Sequence, residues 1–168
     1  MTTSATTITT TADLYDHYGE ELESCEIQFR QYGARSTFRG TISTVRARDE
    51  NQLVKDAVAE PGRGRVLVID GEGSNRTALL GDNMAMTAAR NGWQGIVVHG
   101  AVRDVAALAT IDLGIKAVGS NPRRSRKEGT GSRDVPLSFG GATFLPGQEI
   151  VCDDDGVVVL PPTGRRSA

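Results

Sequence analysis

The stretch Gly81-Asp82-Asn83-Met84-Ala85-Met86-Thr87-Ala88-Ala89-Arg90, followed by Gln94-Gly95-Ile96-Val97-Val98-His99-Gly100-Ala101-Val102-Arg103-Asp104, decides the fold. Its first part reads as a helix opened by small and polar residues. Its second part reads as a short buried strand, Gly95 to Val98, that runs out into a loop carrying an adjacent cation and carboxylate. Twenty residues lie between Asp82 and Arg103. A helix followed by a parallel strand returns the chain, so that the end of the strand lies beside the start of the helix. Both charged ends then face one pocket.

The segments on either side repeat the alternation. Upstream, Arg65-Val66-Leu67-Val68-Ile69-Asp70 is a continuous β-branched run of the kind buried on both faces, closed by the turn Gly71-Glu72-Gly73-Ser74. Before it, Gly40 to Arg46 alternates polar and apolar as a strand, and Asn51 to Ala59 reads as a helix ended by Pro61-Gly62. Downstream, a helix is expected from Arg103 to about Ile111 and a strand near Ile115 to Val118. Strands alternating with helices predict an α/β fold with parallel core strands and right-handed crossovers. Asn121 to Arg133 is basic and has no apolar face, and reads as a flexible loop. The last third, from Val135 to Leu160, holds strands and turns only, which predicts a C-terminal β layer. At the other end, Thr11 is the expected N-cap of a short helix reaching Tyr18. The expected organisation is a flexible tail over 1–10, one domain over 11–162 and a disordered end over 163–168.

Composition narrows the function. In 168 residues, 19 Lys and Arg balance 21 Asp and Glu, a net charge of -2, so no global field points to nucleic acid or an anionic membrane. No apolar run approaches the ~20 residues that span a bilayer, and the start does not read as a secretion signal. Cys25 and Cys152 lack metal-ligand spacing and read as reduced packing residues. A cytoplasmic protein is expected.

Three constellations carry chemistry. Asp104 is either a helix-capping carboxylate or an oxygen ligand for Mg²⁺ or Mn²⁺, which keeps several waters and needs only one or two protein carboxylates. Arg103 is either a surface cation or a fork for a substrate carboxylate or carbonyl oxygen. The turn Gly81-Asp82-Asn83-Met84 offers main-chain N–H groups at a helix start, a cradle for a small anion or an ordinary cap. Asp70-Gly71-Glu72-Gly73 invites a nucleotide or S-adenosylmethionine reading, but Arg76 stands where the third glycine of that motif belongs. Asp70 and Glu72 are instead expected as outer carboxylates near the metal. His99 reads as a satisfied structural histidine. Arg123, Arg124, Arg126 and Lys127 lack interleaved aromatics and read as a solvated face, with no direct nucleic-acid contact expected.

Taken together, Asp82, Arg103-Asp104, Gly95 to Val102, Asp112-Leu113-Gly114-Ile115-Lys116-Ala117, Phe139-Gly140-Gly141 and Asp153-Asp154-Asp155-Gly156 resemble the RraA-like family. That family takes in regulators of ribonuclease activity A and the metal-dependent 4-hydroxy-4-methyl-2-oxoglutarate aldolases. The resemblance implies a three-layer β/β/α fold of the swivelling-domain type, assembled as a homotrimer or a dimer of trimers. It implies that Gly81, Asp82, Asn83, Met84 and Arg103 hold the pyruvyl part of a small 2-oxo acid, that Asp104 holds the divalent metal, and that Arg103 and Asp104 are the catalytic pair. The activity implied is C–C lyase chemistry through a metal-stabilised pyruvate enolate, as aldolase or as oxaloacetate decarboxylase. Aldolases of the family with a longer C-terminal region place an acidic residue in a neighbour's site, and this sequence has little beyond Pro161-Pro162, so decarboxylation is the firmer expectation. The alternative is a non-catalytic regulator that binds and inhibits an RNA-degrading endonuclease.

Overall fold

The computed structural model describes residues 8–162, so the expected end over 163–168 and most of the expected tail lie outside the described residues. In chain order the elements are helix α1 (Thr11–Tyr18), a single 3-10 turn (Gly19–Glu21), and the short strands β1 (Glu23–Ser24) and β2 (Arg30–Gln31). The long strand β3 (Phe38–Arg46), helix α2 (Gln52–Val58), strands β4 (Val66–Asp70) and β5 (Ala78–Leu80), and helix α3 (Asp82–Arg90) follow. Strand β6 (Gly95–Val102), helix α4 (Val105–Leu108) and strand β7 (Gly114–Ser120) complete the alternating part. The C-terminal strands are β8 (Ser132–Arg133), β9 (Leu137–Phe139), β10 (Ala142–Phe144), β11 (Glu149–Cys152) and β12 (Val157–Val159).

Strands β3, β4, β6 and β7 pair in parallel, with β5 added to the far end of β6. Strand β3 serves two neighbourhoods. Ile42 to Arg46 run parallel to β4, whereas Phe38 to Thr41 pair antiparallel with β11, from which the sheet continues through β12 to β1. Phe38 opens β3, with its ring over Gly95 and Gly114. A Cβ on either glycine would come within 2.3 Å or 2.1 Å of that ring, so only glycine fits beneath it.

The run read as buried on both faces is so, and its alternation sorts two cores. Leu67 and Ile69 of β4, with Ile96 and Val98 of β6, pack against Val54, Ala57 and Val58 of α2 and Ala85 and Ala88 of α3. Val66, Val68 and Val97 face the other way, onto Leu137, Phe144, Ile150 and Val157 of the C-terminal strands. Each such side chain contributes about 1.5–3 kcal/mol on full burial, so both layers are held to the sheet by hydrophobic area. The result is a mixed α/β fold with a large, partly parallel and partly antiparallel sheet and few helices.

Several expectations shift. The N-cap of α1 is Thr10, whose side chain accepts from Asp13 N at 3.1 Å. Thr11 is instead buried and donates from its N–H and its hydroxyl to Asp153, at 2.8 and 2.7 Å. Ile8 packs beside α1, and its carbonyl accepts from Arg39, so the chain is already held at residue 8. Strand β6 continues to Val102, because Ala101 and Val102 pair with both β5 and β7. The helix expected from Arg103 to Ile111 is only the single turn of α4: it starts no earlier than Val105, since Asp104 stands in left-handed backbone, φ 60°, which no helix continues through, and it ends at Leu108. The basic segment is not a free loop either. Arg124 bridges to Ala78 and Arg126 to Glu50, and the segment ends in β8, which pairs with β3.

Candidate active site

Parallel pairing of β5 with β6 sets Leu80 opposite Val102, and Arg103 N donates to Leu80 O at 2.9 Å. The start of α3 and the end of β6 are therefore side by side, as the spacing of Asp82 and Arg103 required. Contact is close: a Cβ on Gly81 would stand 2.8 Å from Asp104 Oδ2 and 3.3 Å from Arg103 Cγ. Glycine at this position lets the Arg103-Asp104 turn lie against the helix start.

Asp104 caps a helix, but not its own. Its Oδ2 accepts from Asp82 N, the first residue of α3, at 3.1 Å, where the helix dipole favours a carboxylate. Asp82 Oδ1 accepts from Asn83 N at 2.8 Å. Two of the N–H groups read as an anion cradle are thus occupied by the protein's own carboxylates. Arg103 Nε lies 3.8 Å from Asp104 Oδ1, too far for a hydrogen bond, and this buried nitrogen has no hydrogen-bond partner. A buried donor left unpaired costs about 1–3 kcal/mol; Gln31 Oε1, Tyr32 Oη, Ser43 Oγ and Arg133 Nε are likewise buried without a partner among the described residues.

These residues line one cavity of about 410 Å³, which Gly81, Asp82, Asn83, Met84, Arg103 and Asp104 all reach. It brings in a second group that the sequence reading left out: Asn51 and Lys55 from the start of α2, and Arg124, Ser125 and Lys127 from the basic segment. The segment is fastened beneath them. Glu50, only 3% exposed, accepts from Gln52, Gly129 and Gly131 N–H groups, at 3.2, 2.9 and 3.3 Å. Ser125 Oγ donates to Ala78 O at 2.7 Å, and Asn51 N donates to Arg126 O at 2.8 Å. Lys127 Nζ donates to Asn51 Oδ1 at 3.0 Å. Partial burial lowers the Lys127 pKa, and the charges of Lys55 and Arg124 lower it further.

Asp70, Glu72 and His99 are not at this cavity. Asp70 Oδ1 accepts from His99 Nδ1 at 3.0 Å and from Glu72 N at 2.9 Å, and the imidazole stacks on Phe139 with centroids 4.5 Å apart. Glu72 pairs with Arg48. The expected outer carboxylates thus serve a separate polar cluster, because the side chains of Asp70 and His99 turn toward the C-terminal strands. His99 is hydrogen-bonded and stacked, as a structural histidine should be. Cys25 and Cys152 are both free thiols, and burial pushes the Cys152 pKa well up.

Among the described residues no three His, Cys, Asp or Glu side chains gather to hold a metal. Asp104 offers one carboxylate at the cavity wall, about one third exposed, with Oδ1 outside any hydrogen bond. That donor fits a hard divalent cation that keeps most of its waters, and does not suit a softer metal needing several side chains. No helix among the described residues is long and apolar enough to cross a membrane.

The RraA-like family (Aldolase/RraA) matches residues 10–159. The RNA-processing inhibitor RraA from Thermus thermophilis is 44% identical, with a TM-score of 0.89 over 95% of this chain and 98% of that one. The S-adenosylmethionine:2-dimethylmenaquinone methyltransferase of Geobacillus kaustophilus is 42% identical, with a TM-score of 0.90 over 94% and 99%. RraAS2 of Streptomyces coelicolor, a member of the RNase ES inhibitor RraA family, is 28% identical, with a TM-score of 0.70 over 88% and 77%.

Proposed function

The chain belongs to the RraA-like family (Aldolase/RraA), and from that premise we propose that it is a cytoplasmic, divalent-metal-dependent C–C lyase acting on small 2-oxo acids, as oxaloacetate decarboxylase and 4-hydroxy-4-methyl-2-oxoglutarate aldolase. In this reading the fold is of the swivelling β/β/α class and the protein works as a homotrimer. The observation that carries the proposal is the convergence of Arg103, Asp104 and the start of α3 on one cavity.

Each group has a task that its geometry supports. Arg103 forks onto the oxygens of the oxo-acid end and stabilises the negative charge that grows there as the C–C bond breaks. The start of α3 adds the field of its helix dipole at the same end, and its Asp82 and Asn83 N–H groups reach the substrate only by exchanging the carboxylates of Asp104 and Asp82 for it. Asp104, whose backbone is held in a left-handed turn between β6 and α4, would hold Mg²⁺ or Mn²⁺ through its cavity-facing oxygen. When bound, such an ion supplies Lewis-acid polarisation of the oxo-acid oxygens. Gly81 keeps Asp104 within reach of both the helix and the cavity. Decarboxylation and retro-aldol cleavage leave the same pyruvyl fragment, so one set of residues serves both.

The assay is pyruvate release from oxaloacetate with Mg²⁺ or Mn²⁺. EDTA should stop it, and Asp104→Ala should lose at least about a hundredfold, the scale of several kcal/mol of transition-state charge stabilisation. Turnover that ignores EDTA, or an Asp104→Ala protein of full activity, overturns the reading.

A second reading is favoured by the identity to the Thermus thermophilis inhibitor of RNA processing. In it the protein binds and inhibits an RNA-degrading endonuclease through its outer surface, and Asp104→Ala leaves that inhibition intact.

A further inference from the structure

In the reading above, the oxo-acid end engages only Arg103, Asp104 and the start of α3 among the residues that line the cavity. At about 410 Å³ the space lies within the ~300–1,000 Å³ of small-molecule sites, with room for a group beyond the one that Arg103 holds. Besides Arg103, the lining cations are Lys55, Arg124 and Lys127, which come from elements other than those that carry Arg103 and Asp104. None of the three has a carboxylate within ion-pair distance among the described residues. Arg35, Arg39, Arg48, Arg126 and Arg133 all do. What sets these three apart is their place: they line one cavity, and Lys55 and Arg124 stand close enough to Lys127 for their charges to act on it. All three are exposed, so their mutual repulsion is softened by solvent, and an anion seated between them offsets what remains.

The wall is also built rather than incidental. Lys127 is tied to Asn51, which is 7% exposed and anchored in turn to Leu79 O at 3.2 Å. Ser125, between Arg124 and Lys127, is buried and bonded to Ala78 O and to Thr77 Oγ1, both at 2.7 Å. Glu50 fixes the same segment from below. The lowered pKa of Lys127, from burial first and from Lys55 and Arg124 next, agrees with this crowding of positive charge.

We propose that Lys55, Arg124 and Lys127 form a second anion-binding pole that takes the negatively charged group at the far end of the substrate from its oxo-acid end. This rests on the oxo-acid reading above. The pole is a determinant of specificity: Arg103 and the α3 start select a 2-oxo acid, and the second pole selects one that carries another anionic group.

Calorimetry with two stable ligands of equal carbon number, 2-oxoglutarate and 2-oxopentanoate, tests this in the presence of Mg²⁺. The full chain should bind 2-oxoglutarate at least about tenfold tighter, and raising salt from about 0.05 to 0.5 M should shrink that preference by screening. The double variant Arg124→Met, Lys127→Met, checked for native far-UV circular dichroism, should lose the preference and keep its affinity for 2-oxopentanoate. A full chain without the preference, or a double variant that retains it, overturns the proposal. Glutarate and pentanoate, which lack the oxo group, separate the two readings. If neither oxo acid binds but glutarate still binds better than pentanoate, and the double variant abolishes that difference, the pole stands and the oxo-acid reading falls.

Discussion

Two aspartates stand near the ends of adjacent parallel strands, Asp70 closing β4 and Asp104 two residues past β6, and their surroundings are opposite. Asp70 is 8% exposed, accepts from an imidazole and a main-chain N–H, and its partner ring is stacked on Phe139. Asp104 is in left-handed backbone, bonds one N–H at the start of a neighbouring helix, and keeps an oxygen outside any hydrogen bond at a cavity that Arg103 also lines. The first arrangement is closed and contributes to stability. The second is left incomplete at a place a small molecule reaches, which is where function is carried. The contrast teaches that a charged pair in sequence says little until the partners of each atom are counted.

The contrast breaks most readily at Arg103. Arg103→Met should reduce pyruvate release at least about a hundredfold, on the scale of losing a preorganised charge at the reacting oxygens, with thermal unfolding little changed. If instead the melting temperature collapses and the residual folded protein is fully active, Arg103 belongs with Asp70 as a structural residue. Asp70→Asn should do the reverse: activity near the starting level, and stability lower by about 1–3 kcal/mol, the cost of weakening a largely buried charged hydrogen bond. Urea unfolding beside the pyruvate assay separates the two outcomes.

The smallest effect sharpens the comparison by pH. Burial would raise the Asp70 pKa, but the hydrogen bond from His99 and that from Glu72 N–H outweigh it and hold it below its ordinary value. Asp153 is likewise held low, because the Thr11, Asp155 and Gly156 donors overcome its burial. A depressed native pKa contributes stability that is present above the unfolded value of about 3.9 and is lost as pH falls through the native one. Urea midpoints should therefore decline on acidification below about pH 4, and Asp153→Asn should show a shallower decline. An unchanged slope in that variant would remove Asp153 from the account.

Much of this was legible in the residues. The β-branched run Val66 to Asp70 and the spacing between Asp82 and Arg103 sufficed for a parallel core with the helix start beside the strand end, because side-chain period and crossover direction are local properties of the chain. The pairing of Leu80 with Val102 bears out that geometry. The roles of Gly81 to Met84, Arg103 and Asp104 still await the assays above. What sequence could not supply was the neighbourhood. Arg124 and Lys127 read as a solvated charge run, and only the buried Glu50, 79 and 81 positions from the Gly129 and Gly131 N–H groups that it binds, turns their segment into a cavity wall. The signal available was a glutamate and an asparagine just before an apolar helix, which resembles an ordinary helix start.

By itself, then, the sequence determined the order of the parallel core strands β3, β4, β6 and β7 and of the helices between them, the two-sided burial of the central strands and the adjacency of the Arg103-Asp104 turn to α3. Strands β1, β2, β5 and β8 came only with the structure. The tertiary structure alone decided that Asp104 caps a neighbouring helix, that Asp70 and His99 close on each other away from the cavity, and that three cations from α2 and the basic segment share one wall. The physical reason is that periodicity and turn chemistry act between near neighbours along the chain, whereas the pairing of a charge depends on which distant backbone groups the packed layers bring within about 3 Å of it.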